Sequence, residues 1–183
     1  YLVYRDQLRV EALGTYRVRN KQDVPISKVL MRVSRDARIR QLSIAGVQKP
    51  AKHDKELGVL VFELPTPLQP GAEADLVYDF EFVTTGFEHD PSTDIVGNGT
   101  FFNNFALPIL GYVESGELVH DKDRKEYELA PKERMADRDD EKAKQNSYIR
   151  QDSDFITFQA TVSTTPDQIA LAPVVRRGAG GLG

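Results

Sequence analysis

The sequence predicts an all-β protein built as an antiparallel β-sandwich, and three observations carry that expectation. Apolar residues in the first half recur at every second position, the period of a strand with one buried face. Proline and glycine interrupt these runs at short intervals. No stretch before residue 120 holds a helical period.

The first run places Val10, Ala12, Gly14, Tyr16 and Val18 on one side of a strand, with Arg9, Glu11, Arg17 and Arg19 on the other. Leu13 breaks the polar side, which implies that this face is partly covered. Asn20-Lys21-Gln22-Asp23 reads as a turn, after which Val29, Met31 and Val33 start a second alternating run. Ile39, Leu42 and Ile44 mark a third, ended at Gly46. Gly58 to Leu64 is a compact apolar strand bounded by Pro65 and Pro67. Pro67-Leu68-Gln69-Pro70-Gly71 is a stiff loop ending in a Pro-Gly turn signal. Leu76, Tyr78, Phe80 and Phe82 then share one face of a strand, with Asp75, Asp79 and Glu81 among the intervening positions.

The stretch from Asp121 to Lys144 is different, with nine acids against eight bases and few apolar anchors. It reads as an exposed charged insertion over about 116–150. Opposite charges three or four apart predict a short solvated helix around Pro131 to Lys144, with Pro131 in its first turn. Strand character returns at 155–162. Phe155, Thr157, Gln159 and Thr161 alternate there with Ile156, Phe158, Ala160 and Val162. Apolar residues on nearly both faces place such a strand in the middle of a structure or at an interface between domains. The expectation is therefore one sandwich domain over 1–175, followed by a flexible Gly-rich tail at 176–183.

Composition narrows the function classes. The 183 residues are 40% hydrophobic and 28% charged, as in folded domains rather than disordered chains. A net charge of −4 and a pI near 5.5 exclude a nucleic-acid binder held by a basic face. The same balance offers no polybasic anchor for anionic lipid. With no cysteine, disulfide scaffolds, thiolate metal sites and cysteine nucleophiles are excluded. No apolar run approaches the roughly 18 residues that span a bilayer. The chain starts at Tyr1 rather than Met, so a piece of a larger protein is expected.

Local chemistry is sparse. His53, His89 and His120 are each followed by Asp, and none has a second His four positions on, so no helix presents two imidazoles to one zinc ion. All three read as solvated surface residues. Asp139-Asp140-Glu141 is a solvated acidic run rather than a hydrolytic pair, which needs a fixed separation across a cleft and one raised pKa. Gly97-Asn98-Gly99 lacks the later glycine and helix of a dinucleotide loop, and no Gly-x-Ser-x-Gly elbow occurs. Asn98-Gly99-Thr100 reads as a turn more than as a glycosylation acceptor. This chain alone is not expected to be an enzyme. One stretch has the make-up of a recognition surface: Asn98 to Phe105 interleaves aromatics with amides, ahead of Leu107-Pro108-Ile109-Leu110-Gly111-Tyr112. It reads equally as a strand with Phe inward and Asn satisfying turn backbone.

The order of motifs resembles one bacterial group, the M1-type aminopeptidase-like region fused to ABC-2-type transporter permeases in Gram-negative bacteria. The resemblance rests on Gly14-Thr15-Tyr16 with the Asn20 turn, on Pro67 to Gly71, and on Asn98 to Asn104 with Pro108 to Tyr112. Its most specific part is Phe158-Gln159-Ala160-Thr161-Val162-Ser163-Thr164-Thr165-Pro166-Asp167-Gln168-Ile169-Ala170-Leu171-Ala172-Pro173. It covers almost the whole chain and is weakest in the charged insertion. None of the matching motifs is catalytic.

The resemblance implies a saddle-shaped, non-catalytic N-terminal β-sandwich that packs on a thermolysin-like catalytic domain. That domain would hold the zinc, so no cofactor is expected here. In the family a late strand lends a Gln or Glu to the pocket for the substrate's free amino end. The nearest positions here are Asn103 and Asn104, which depart from that pattern because a neutral, shorter side chain loses the charge attraction to an ammonium group. The implied partners are the downstream catalytic domain and a peptide substrate. Nucleic acid is not among them, and membrane enters only through transmembrane segments outside this chain. The implied location is the bacterial inner membrane, with this domain in the periplasm. Two other readings remain: a partner-binding module with a degenerate peptidase region, and a free-standing sandwich that binds glycan or peptide through the Phe101 to Phe105 face.

Overall fold

The structure is a computed structural model that describes residues 1–4, 7–84, 95–96, 99–101, 106–111, 117–132, 137–141 and 156–171. Chain contacts divide it into two compact units, Tyr1–Tyr112 with Ala160–Gly183, and Val113–Gln159. The first unit is an all-β sandwich. One four-stranded antiparallel sheet has the order β1 (Leu2–Tyr4), β2 (Arg9–Arg19), β7 (Glu73–Val83), β4 (Arg38–Ile44). The other has the order β10 (Ile109–Leu110), β3 (Ile26–Arg32), β6 (Val59–Leu68), β5 (Lys52–Asp54). A short ladder joins β8 (Ile95–Val96) to β9 (Gly99–Thr100).

Alternation decides which side chains enter the core. Ala12, Leu42, Ile44, Leu76, Tyr78 and Phe80 from the first sheet meet Met31, Leu60, Phe62 and Leu64 from the second in one buried cluster. Phe62 and Phe80 are fully buried, each contributing about 1.5–3 kcal/mol of transfer free energy. Along β2 and β7 the register runs unbroken from Arg9↔Val83 to Arg19↔Glu73. It pairs Gly14 with Tyr78, and a Cβ at position 14 would lie 2.6 Å from the Tyr78 hydroxyl oxygen. The glycine therefore makes room for the ring to lie across the neighbouring strand. Tyr16, Tyr78, Phe80 and Phe82 follow one another along this face, with successive ring centroids 5.2, 5.6 and 6.5 Å apart in tilted or edge-on contact.

Two turns are fastened together at one end of the sandwich. Gln69-Pro70-Gly71-Ala72 closes with an Ala72 N–H to Gln69 C=O bond of 3.0 Å, and Gly71 has φ +75°. Proline at the second position and a left-handed glycine at the third are what a type II turn requires. Asn20, only 2% exposed, ties this turn to the one after β2. Its side-chain amide donates to Val24 C=O at 2.9 Å and Leu68 C=O at 2.8 Å, and its Oδ1 accepts from Gln22 N–H at 2.9 Å. Its backbone N–H donates to Ala72 C=O and its C=O accepts from Gly71 N–H. The Asn20 turn and the Pro-Gly turn of the sequence are thus one joint structure.

Three sequence expectations need correction. Strand β6 does not stop at Leu64 but runs through Pro65 and Pro67 to Leu68. On one side β5 pairs only as far as Val61, and on the other the β3 register shifts between Ile26 and Lys28, so prolines without an N–H displace no ladder bond. The helix among the described residues is α1 (Asp121–Glu126); of the stretch expected to be helical, 131–132 and 137–141 are turn or coil, and 133–136 and 142–144 lie outside the described residues. Asp121 and Asp123 sit in the first turn of α1 and Arg124 and Lys125 in its last, the charge order that suits the helix dipole. Arg124 also donates to Leu118 C=O at 3.0 Å and Ala130 C=O at 2.6 Å, fixing the chain on both sides of α1. Finally, 156–162 is not a buried strand: Ile156 is 78% exposed and Phe158 53%. The inner faces of both sheets are already filled by the alternating residues above. What pairs is its end: Tyr1 and Val3 N–H groups donate to Thr161 and Ser163 C=O, and Ser163 N–H donates back to Tyr1 C=O, giving a parallel bridge at the β1 edge.

Candidate functional site

Asn103 and Asn104 lie outside the described residues, as do most of 97–105. Their anchors are described: Thr100 pairs with Ile95 in the short ladder, and Leu107 is buried in the main core. Between them Phe101 is 72% exposed. Of the histidines, His53 and His120 are exposed surface residues, while His89 lies outside the described residues. Among the described residues no group of three His, Cys, Asp or Glu side chains is placed to hold a metal ion.

The densest chemistry is a charged cluster on the outer face of the first sheet. Glu11 and Glu81 are direct cross-strand partners, and two carboxylates so placed repel. Arginines resolve the conflict. Arg40 Nη2 lies 2.7 Å from Glu11 Oε1 and 2.5 Å from Glu81 Oε1. Arg9 Nη1 bridges the same two oxygens at 3.1 and 3.2 Å. Arg38 Nη1 holds the other Glu81 oxygen at 3.1 Å, and the Arg9 guanidinium sits 4.1 Å from the Tyr4 ring centroid. Glu81 is 5% exposed and Glu11 9%, so this face is covered, but by its own arginines; Leu13, expected to mark a covered face, is 56% exposed.

A β-bulge builds the cluster. Ile39 pairs with Phe80 and Gln41 with Asp79, so Arg40 is the extra residue on β4. The bulge lets Arg38 and Arg40 both reach the carboxylates while Ile39 and Leu42 stay on the core side. Nothing in the sequence reading singled out Arg40, yet the signal is present: Ile39 and Leu42 are three apart where a regular strand spaces core residues by two.

Electrostatics define what the cluster can do. Desolvation pushes the Glu81 carboxyl pKa up, but hydrogen bonds from Arg40 and Arg9 and the charges of Arg40 and Arg38 together outweigh it, leaving a net lowering. The Arg40 guanidinium is held charged beyond its ordinary range, first by its bond to Glu11, against desolvation, and then by Glu81. A carboxylate locked in its ionised form among arginines is a poor proton donor near neutral pH. The cluster clamps β2, β7 and β4 together rather than forming an acid–base pair.

A second polar group lies at the core boundary. Desolvation and the neighbouring Tyr78 push the Tyr1 hydroxyl pKa up to about 12. Burial first, then Tyr78 and Tyr1, raises Tyr16, whose hydroxyl donates to that of Tyr78. Tyr78 is raised by burial despite accepting that bond. Compared with known proteins, the chain matches no family model, no curated protein and no solved structure.

Proposed function

We propose that this chain is a non-catalytic β-sandwich domain of a membrane-anchored M1-like zinc aminopeptidase fused to a transporter permease. In that role it walls one side of the peptide-binding cleft and packs on a downstream catalytic domain. The observation that supports the reading is the exposure of Ile156 and Phe158, at the start of the stretch of closest resemblance. Large apolar side chains held in water are what a seam to another domain leaves behind when that domain is absent. The sandwich fold fits the same role. A wall domain acts by excluding water and ordering the first residue of the peptide, while the metal performs the chemistry elsewhere. Zinc therefore belongs to the catalytic domain on this reading, and the sandwich faces the periplasm.

The test compares the whole soluble region of the parent protein with this chain alone, for aminopeptidase activity and bound zinc. Activity and metal in the longer protein only support the proposal. Their absence from both, in folded protein, refutes it and favours a partner-binding module with an inactive peptidase region. The exposed Phe101 ring beside the amide-rich stretch is the observation that favours that second reading.

A further inference from the structure

A cleft of about 310 Å³ opens between the turn that joins β3 to β4 and the turn that joins β5 to β6. Its floor is apolar, with Val33 and Ile39 among the lining side chains, and its polar lining is Ser34, Arg35, His53 and Lys55. No carboxylate lines it. The acid between His53 and Lys55 is occupied elsewhere, since Asp54 Oδ1 accepts the Leu57 N–H at 3.0 Å.

The wall is built by the backbone. Ser34 C=O accepts from Ala37 N–H, and Ser34 Oγ from Asp36 N–H, which shapes the first turn. Val33 N–H donates to Gly58 C=O at 2.9 Å and binds the two turns together. Position 58 has φ +65°, and a Cβ there would lie 2.3 Å from the Val33 carbonyl oxygen, so only glycine lets the two turns approach this closely.

Arg9, Arg17, Arg19, Lys28, Arg38 and Arg40 each meet a carboxylate on a neighbouring strand. The side chains of Arg35, His53 and Lys55 make no hydrogen bond or ion pair with any described residue. Two permanent cations, an imidazole and a hydroxyl around an apolar floor form a site for an oxyanion carrying a small carbon group. The volume is at the small end of ligand sites, which limits that group to about the size of a phenyl ring.

We propose that this cleft binds a small organic oxyanion, a phosphate monoester or a carboxylate, with its oxygens at Arg35 and Lys55 and its carbon portion against Val33 and Ile39. This site is independent of the peptidase-domain reading. The test is a titration of the ¹⁵N-labelled chain with phenyl phosphate, benzoate and inorganic phosphate, each matched with sodium chloride at equal ionic strength. Saturable shifts of the Ala37, Lys55 and Gly58 amides are expected, with a Kd on the order of millimolar. Phenyl phosphate should bind several-fold more tightly than inorganic phosphate because it covers the floor. Its rank against benzoate identifies the phosphoryl or the carboxylate form. Arg35→Gln with Lys55→Gln should weaken binding at least tenfold, whereas Lys28→Gln, on an exposed pair elsewhere, should leave it within twofold. Unchanged amide shifts in the rest of the sandwich establish that the double variant is folded. Shifts that fail to saturate, that sodium chloride reproduces, or that survive the double substitution overturn the proposal.

Discussion

Replacing Asn20 with alanine removes three hydrogen bonds from the joint between two turns. The lost bonds run to Val24 C=O, Leu68 C=O and Gln22 N–H, all at 2.8–2.9 Å. A net value of about 1 kcal/mol for each gives about 3 kcal/mol. Two effects pull against each other around that figure. The site of Asn20 itself is 2% exposed, which adds a penalty for partners left without a donor. Val24 and Gln22 are exposed, so water can replace part of what is lost. The expected destabilisation is about 2–4 kcal/mol, or roughly 6–12 °C in Tm for a domain of this size. Urea unfolding followed by circular dichroism measures it, and the m-value should not change, since no new surface is exposed in the folded state. Asn20→Asp keeps the acceptor for Gln22 but sets a carboxylate against two carbonyl oxygens, so it should be at least as damaging as alanine. A loss below about 1 kcal/mol in the alanine variant, at constant m, would refute the idea that Asn20 fastens the two turns.

Glu81→Gln should lower stability at neutral pH by leaving Arg9, Arg38 and Arg40 without their shared anion. Because the folded carboxyl pKa is depressed, its contribution is full above the unfolded value of about 4.3 and drains as pH falls through the folded one. The variant should therefore have a flatter acid-unfolding profile below about pH 4.5, and an equally steep one would contradict the clamp. In an alkaline titration read at 295 nm, Tyr1, Tyr16 and Tyr78 should lag behind the ordinary phenol range. Raised folded pKa values mean that stability is intact below about pH 10 and lost above it, so their ionisation should coincide with unfolding. Ionisation of all seven tyrosines near pH 10 with a native circular dichroism spectrum would exclude the buried cluster. Ala45 has φ +49° beside Gly46 at +80°, in a two-residue hairpin closed by reciprocal Ile44 and Val47 bonds. Ala45→Asn suits that left-handed pair better and should stabilise the sandwich by about 0.5–1 kcal/mol; a loss in Tm would show that the hairpin geometry is different.

Legibility followed the period of the chain. In β2 the side chains of Ala12 and Tyr16 pack into or against the core while Arg17 and Arg19 point to solvent, and in β7 Leu76, Tyr78 and Phe80 are buried, as two-residue alternation requires. Asn20 and Pro70-Gly71 were readable as turns because their residue types are specific to turn geometry. That the two turns bond to each other was not readable, because the Asn20–Leu68 bond spans 48 positions. Prolines misled at β6, where the sheet offers an unpaired edge that sequence does not display. Charge spacing did not single out α1 because opposite charges at three and four apart occur throughout 121–144, while the dipole order favours 121–126. The arginine clamp was hidden by a one-residue slip in β4, although the spacing of Ile39 and Leu42 records it. The bases of the oxyanion cleft come from two turns about 20 positions apart and form no motif.

The pairing of Tyr1 and Val3 with Thr161 and Ser163 carries a consequence for synthesis on the ribosome. The two partners are separated by 160 positions. At ~5–20 residues per second, β1 emerges about 8–30 s before the segment that flanks it. The sandwich core of β2, β3, β4, β6 and β7 is encoded within the first 83 residues and can form in that interval. The outer edge of β1 then stands open on a nascent chain, three residues long and next to neighbouring polysomal copies that carry the same edge. Its shortness limits how firmly another copy can add to it, and the late arrival of Ser163 ends the exposure. Slowing translation downstream of residue 84 should lengthen that window and increase aggregation of nascent chains without altering the stability of the finished protein.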